Sequence, residues 1–292
     1  MTGKIIKGIA GEYFVHVEGE GIFTCKAKGI FRHRNLKPLV GDDVELDVVS
    51  REDMKGNITD ILERKSELIR PAVANIDQTL VVFAARSPAP NRNLLDRFLV
   101  MMESQGMKSI LCFNKMDLAA DDEINELKNT YEKAGYQVLL ISVKEDKGID
   151  EVVKLLDSKT TSLAGPSGVG KSSLLNALVP NAVMETGDIS RKIERGKHTT
   201  RHSEIFCLGG ATYLMDTPGF SSIYTCPCEK EDLKMYFPEF ERYEGKCRFN
   251  GCVHVNEPDC AVKQAISDGD IGQSRYDNYV QFYSEIKERR KY

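Results

Sequence analysis

No stretch of the 292 residues reaches the roughly eighteen uninterrupted apolar positions of a membrane-spanning helix. The opening MTGKIIKGIAGEY alternates polar and apolar residues too often for the apolar core of a secretory leader, so the expected address is cytoplasmic, with no membrane partner. The net charge is only −4, which excludes a uniformly basic surface and sends any search for a polyanionic partner to local segments. Internal repeats and low-complexity linkers are missing too. What is there is a hydrophobic content of 41%, enough for two or three domains to bury cores of their own.

Local basic segments do exist. Lys26 to Lys37 (KAKGIFRHRNLK) holds five Lys or Arg and no acid, Arg191 to His202 is nearly as basic, and the chain ends KERRKY. The first of these lies in a region, residues 1–68, that reads as short strands: GKIIKGI, EYFVHVEG, GIFTCKAKGI, DDVELDVV and GNITDIL, separated by Gly, Asp and Asn turns. So many strands in so few residues predict a small Greek-key barrel of the OB type. Residues 69–225 change texture. The apolar runs TLVVFAA, SILCFN, YQVLLIS and TTSLAG are spaced by amphipathic stretches such as NLLDRFLVMMESQG and IDEVVKLLD, the pattern of βαβ units and a parallel sheet. Residues 226–292 are expected to be mainly helical, over Glu229 to Phe240, Cys260 to Ser267 and Tyr276 to Arg290.

Eight cysteines in a chain read as intracellular point to thiols or metal rather than disulfides. Cys25, Cys112 and Cys207 sit singly in expected strands and read as small buried hydrophobes; Cys226 and Cys228 form only C-x-C. Cys247, Cys252, His254 and Cys260 crowd together as C-x4-C-x-H-x5-C. Three thiolates and an imidazole make a closed tetrahedral set for one structural Zn²⁺ that would cross-link a region too small for a large core.

The strongest local pattern is Gly165-Pro166-Ser167-Gly168-Val169-Gly170-Lys171-Ser172, which follows the apolar strand TTSLA and opens the helical SSLLNALV, whose first two residues are Ser172 and Ser173. Glycines there let backbone N–H groups curl round phosphate oxygens at a helix N-terminus, Lys171 reaches the outer phosphates, and the Ser172 hydroxyl suits Mg²⁺. Asp216-Thr-Pro-Gly219 ends the strand ATYLM. Asp216 would hold Mg²⁺ directly or through water, and the Gly219 amide would sense a γ-phosphate. Between the two lies ERGKHTTRH, whose Thr199 or Thr200, with Thr200 preferred, would close over the metal and the γ-phosphate. Phe220 stands where many enzymes of this kind carry the glutamine that orients water, so intrinsic turnover is expected to be slow, with His198 or an outside partner positioning the water.

Asn114-Lys115-Met116-Asp117 ends the strand SILCF. A carboxylate at Asp117 accepts from the ring N–H and exocyclic amine of guanine, a pair adenine lacks, while the Lys115 stem covers the ring and Asn114 bridges loops. Ser142-Val143-Lys144, after YQVLLI, is a loose S-A-K loop whose backbone amide would meet the guanine oxygen.

The motifs run NKMD, SVK, phosphate loop, threonines, DTPG, whereas a small GTPase ordinarily begins with the phosphate loop. A circularly permuted G domain between an OB-like barrel and a Cys/His cluster resembles the ribosome small-subunit-dependent GTPase A family of bacteria, along essentially the whole chain. That resemblance implies a GTPase that binds GTP and Mg²⁺, acts late in maturation of the small (30S) ribosomal subunit on its rRNA, and is stimulated by it; a monomer is expected. The barrel's basic loop and the nearby Phe31 accord with RNA binding by charge and stacking. Two rival readings are a nucleotide-independent RNA-binding zinc protein with a relic G domain, and a GTPase of the large subunit.

Overall fold

The computed structural model describes residues 1–29, 31, 36–68, 72–179, 204–216 and 228–289. Contacts divide the chain into two compact units, one of residues 1–79, 149–164 and 171–220, the other of residues 80–148, 165–170 and 221–292.

The first unit opens with β1 (Thr2–Ile9), β2 (Glu12–Val17), β3 (Gly21–Ala27), β4 (Asp43–Ser50) and β5 (Lys55–Ile61), closed into a barrel of order β1-β2-β3-β5-β4. All neighbours are antiparallel except β3 with β5, and this one parallel pairing closes the barrel. Alternation puts Ile5, Val15, Val17, Phe23, Cys25, Val44, Leu46 and Ile58 inside, where full burial of each large side chain contributes about 1.5–3 kcal/mol. Phe31 joins them at 2% exposure. It is therefore a core residue, which corrects the expectation of a stacking ring on the surface.

A short hairpin, β6 (Glu67–Leu68) with β7 (Val73–Ala74), follows the barrel. The same unit contains the start of β8 (Gln78–Ala84), where Thr79 Oγ1 meets Ser162 Oγ of β11 (Thr160–Ala164) at 2.7 Å. β11 runs parallel to β13 (Thr212–Asp216), and β12 (Glu204–Gly209) pairs antiparallel with β13. The antiparallel β12 departs from the purely parallel sheet expected. Gly209 and Gly210, at φ +114° and +53°, supply the turn that folds β12 back on β13. The helices α3 (Ile149–Leu156) and α4 (Lys171–Leu178) belong to this unit as well. The barrel and the β12–β13 hairpin are joined by polar contacts. Lys7 Nζ donates to Glu204 at 2.6 Å, and His16 Nδ1 lies 2.9 Å from the Tyr213 hydroxyl.

In the second unit β8 continues beside β9 (Ser109–Asn114), which runs parallel to β10 (Gln137–Leu140). β8 and β9 are buried at every position, the signature of a sheet covered on both faces. α1 (Arg92–Ser104), capped by the Asn91 side chain, and α2 (Asp121–Lys133), with three acids in its first turn, connect these strands. The C-terminal part contains a 3₁₀ turn (Leu233–Tyr236), α5 (Pro238–Glu241), α6 (Ala261–Ser267) and α7 (Gln273–Arg289). The expected helix over Glu229 to Phe240 is thus broken. Pro238 has no N–H to donate and holds Phe237 out of the helical region, at φ −119° and ψ +89°.

Phe237, Phe240, Tyr279 and Phe282 form the aromatic core of this part. Beside it lies a buried charge network. Arg275, fully buried, donates to both Glu239 oxygens at 2.7 and 3.0 Å and to Asp96 of α1 at 2.8 Å, and Tyr131 of α2 donates to the same carboxylate at 3.1 Å. One guanidinium thereby ties the C-terminal helices to the two helices that flank β9. Among the described residues no helix is long and apolar enough to cross a membrane.

Candidate functional site

β9 delivers Asn114 to the end of the sheet, buried to 3% exposure. Its side chain does three things at once. Nδ2 donates to Val169 O of the glycine-rich loop at 3.0 Å, while Oδ1 accepts from Val143 N at 3.2 Å and Lys115 N at 2.8 Å. Three motifs separated by as many as 55 positions in the chain therefore meet on one amide. Two glycines permit the close approach. A Cβ on Gly170, at φ +97°, would meet Asn114 Nδ2 at 2.3 Å, and one on Gly165, at φ +140°, would meet Val82 O at 2.1 Å.

Lys115 sits in the left-handed region at φ +62° and ψ +36°, a conformation costing a non-glycine residue about 1–2 kcal/mol. The bend lets its ammonium donate to Gly168 O at 2.8 Å and to Ser87 O, so that its stem spans the space beside the loop. Asp117 is half-buried, and the buried Ser142 donates to its Oδ1 at 2.7 Å, leaving the second oxygen for a ligand. Ser142 in turn accepts from Glu145 N at 3.2 Å, which fixes the loop bearing Val143 and Lys144; Lys144 is exposed. The second unit thus assembles Asn114, Lys115, Asp117, Ser142, Val143 and the loop Gly165 to Gly170 into one site.

The first unit holds the groups that follow this loop. Lys171 begins α4 and is half-buried, with Ser172 and Ser173 exposed next to it. Burial lowers the Lys171 pKa, and the nearby Asp216 opposes the shift. Burial likewise raises the Asp216 carboxyl, which Lys171 pulls down and Glu204 pushes up. A carboxylate desolvated in this way is poorly compensated by one ammonium and suits a hard divalent cation, as do the hydroxyl of Ser172 and phosphate oxygens. His198, Thr199, Thr200, Gly219 and Phe220 lie outside the described residues.

A separate cluster joins Cys247, Cys252, His254 and Cys260, whose ligand atoms all lie within 4.8 Å of one another. Cys247 Sγ is 3.9 Å from Cys260 Sγ, and His254 Nδ1 is 3.6 and 3.3 Å from those two sulfurs. A tetrahedral zinc with bonds of about 2.3 Å to sulfur and about 2.0 Å to nitrogen has S···S edges of about 3.8 Å and N···S edges of about 3.5 Å. The residues fit a metal. Backbone amides of His254 and Ala261 point at Cys252 and Cys247 at 3.4 Å each, and burial pushes the Cys252 thiol up to about 12, a cost that a cation reverses. Glu257 stiffens the loop by accepting from the amides of Val253, Val255 and Asn256. Of the other cysteines, Cys25 and Cys112 are buried as expected, Cys207 is half-exposed, and Cys228 is disulfide-bonded, contrary to the expectation of thiols or metal alone.

Two groups escaped the sequence reading. Ser87, whose carbonyl holds Lys115, carried no signal, because the contact is made by its backbone. Glu204, by contrast, could be approached by counting back from the Gly209-Gly210 turn. The register shift between Cys207 and Gly209 displaces such a count by one residue.

Comparison with known proteins agrees with this geometry. The family model of the RsgA GTPase matches residues 61–225, and that of the RsgA N-terminal domain matches residues 2–58. A curated relative from Agathobacter rectalis, named small ribosomal subunit biogenesis GTPase RsgA, is 57% identical over 302 aligned residues, which cover 100% of both chains. A relative of the same name from Alkaliphilus metalliredigens is 49% identical over 290 residues, 99% of each chain. Two solved structures superpose with a TM-score of 0.81. One, YloQ, described as a circularly permuted GTPase, is 41% identical and covers 99% of this chain and 95% of its own; the other, YjeQ from Thermotoga maritima, is 36% identical and covers 98% of each. An N-terminal barrel, a G domain whose guanine motifs precede its phosphate loop, and matches of this extent lead to one assignment: the chain belongs to the RsgA GTPase family and is a GTP-hydrolysing enzyme.

Proposed function

We propose that this enzyme hydrolyses GTP to GDP and phosphate as a late-stage maturation factor of the small ribosomal subunit, which stimulates it. The observation that carries the nucleotide half is the Asn114 amide, which bonds to the phosphate loop through Val169 O and to the guanine loop through Val143 N. A relic G domain has no reason to keep this bridge. In the proposal Asp117 reads the guanine edge, Lys115 covers the ring, and the amide of Val143 or Lys144, in the loop that Ser142 fixes, meets the guanine oxygen. The amides of residues 165–173 wrap the phosphates, Lys171 neutralises the outer ones, and Ser172, Asp216 and Thr200 hold Mg²⁺. Bound magnesium screens the phosphate charge and orients the γ-phosphate. Gly219 and Thr199 sense that phosphate, and His198 positions the water that Phe220 cannot.

The subunit half rests on the names of the full-length relatives. Residues 1–68 form the proposed RNA-binding barrel, with the basic residues of the segment Lys26 to Lys37 as its proposed contact with RNA; residues 69–225 form the G domain and residues 226–292 a helical domain with one structural Zn²⁺ on Cys247, Cys252, His254 and Cys260. The protein works in the cytoplasm as a monomer without a membrane partner. GTP turnover measured alone, with small subunits and with large subunits tests the reading. Slow basal turnover with strong stimulation by small subunits alone is expected. Equal stimulation by both subunits, or none by either, would refute it.

A further inference from the structure

The side chain of Glu204 has a neighbour on either side of it. Lys7 of the barrel strand β1 donates to its Oε1 at 2.6 Å, and Asp216 is the residue directly opposite it in the β12–β13 ladder. Directly opposed residues of an antiparallel pair project from the same face with Cβ atoms about 4.5–5.5 Å apart. Two carboxylates therefore share the end of this hairpin, and Lys7 reaches one of them. The ion pair is only partly buried, with side chains 18% and 33% exposed, a setting in which a salt bridge typically contributes no more than about 1 kcal/mol to stability. Its place next to Asp216 calls for another role.

We propose that Glu204 is an auxiliary carboxylate of the magnesium site and that Lys7 competes with the cation for it, so that barrel strand β1 sets the magnesium affinity of the G domain. The proposal rests on the reading of Asp216 as a magnesium-side carboxylate. With Lys7 in place the charge of Glu204 is spent inside the pair, and the net charge added beside Asp216 is zero. Removing the ammonium leaves one uncompensated negative charge beside Asp216 and would strengthen cation binding there; removing the carboxylate leaves one positive charge and would weaken it. At such separations and near-aqueous screening, each step corresponds to about a three- to tenfold change. Lys7 and Glu204 act here as positioning residues.

The test uses the full-length protein and the rate of release of a fluorescent GDP analogue across a titration of free Mg²⁺, a readout independent of turnover. K7M is expected to lower the half-saturating Mg²⁺ concentration about three- to tenfold and E204Q to raise it by a similar factor. The double variant K7M/E204Q, neutral again, should return to within about twofold of wild type, and K7R should match wild type. A purely structural role would make the two single losses shift the requirement in the same direction and the double worse than either. An unchanged requirement in K7M, or a double variant that fails to return, overturns the proposal. Should K7M not fold, E204Q carries the test, and an unchanged requirement there overturns it equally. D216N is assayed alongside and should raise the requirement strongly. If D216N responds while K7M and E204Q do not, only the coupling is wrong; if D216N is silent, the magnesium reading of Asp216 falls with it.

Discussion

Replacing Gly170 with alanine puts a methyl group where Asn114 Nδ2 would lie 2.3 Å away. Real contacts of this kind require more than 3 Å, so the amide must leave and takes with it the bonds to Val169 O and Val143 N. At about 1 kcal/mol net per bond the bridge is worth about 2 kcal/mol, or about a thirtyfold loss of GDP affinity, provided the nucleotide needs both loops in register. The left-handed strain of alanine at φ +97°, about 1–2 kcal/mol, is present with or without nucleotide; it lowers the melting temperature and cancels from the affinity. Gly135→Ala, outside the loop, supplies the control, since φ there is +92° and a Cβ meets nothing within 4 Å. Fluorescent GDP titrations of G170A, N114A and the double variant complete a cycle. The double loss should fall short of the sum of the single losses by about 1–2 kcal/mol, because the methyl group cannot displace an amide that is already gone. Additive losses, or equal losses in G170A and G135A, would refute the bridge as the link between the two loops.

Asp117→Asn should shift base preference from guanine toward xanthine by at least about tenfold in competition binding, since an amide can donate to the oxo group that replaces the guanine amine; an unchanged ratio would misplace the base site. Metal analysis should find about one Zn²⁺ per chain and less in Cys252→Ser, with hydrogen-exchange protection lost in the C-terminal part and GDP binding retained; a metal-free preparation with full protection there would reject the zinc reading. Arg275→Met leaves Asp96 and Glu239, 1% and 4% exposed, without their counter-charge, at a cost of about 3–5 kcal/mol, or a fall of about 6–20 °C in melting temperature. A loss below about 1 kcal/mol would mean that water reaches the network.

The barrel was legible because each strand is a short alternating run closed by a turn residue, and the base and phosphate loops because their chemistry is local: four residues at 114–117 and eight at 165–172. Long-range facts were not. The ring of Phe31 sits in a basic segment, and nothing local says that it turns into the barrel. Arg275, Asp96 and Glu239 lie up to 179 positions apart, so their pairing is invisible to any window. The strand β12 carried a usable signal in Gly209-Gly210, but a hairpin at the edge of an otherwise parallel sheet breaks the βαβ rhythm that made the rest readable.

Rotated motif order also bears on how the molecule is made. Asn114 is synthesised 55 residues before Val169, the partner that locks it to the phosphate loop. At about 5–20 residues per second this is an interval of about 3–11 s during which the nascent chain holds Asn114 without the loop it bridges to. An ordinary G domain emerges the other way round. Here the bridge made by Asn114 cannot close until translation has passed Val169, and β11 cannot pair with β13 until it has passed Asp216.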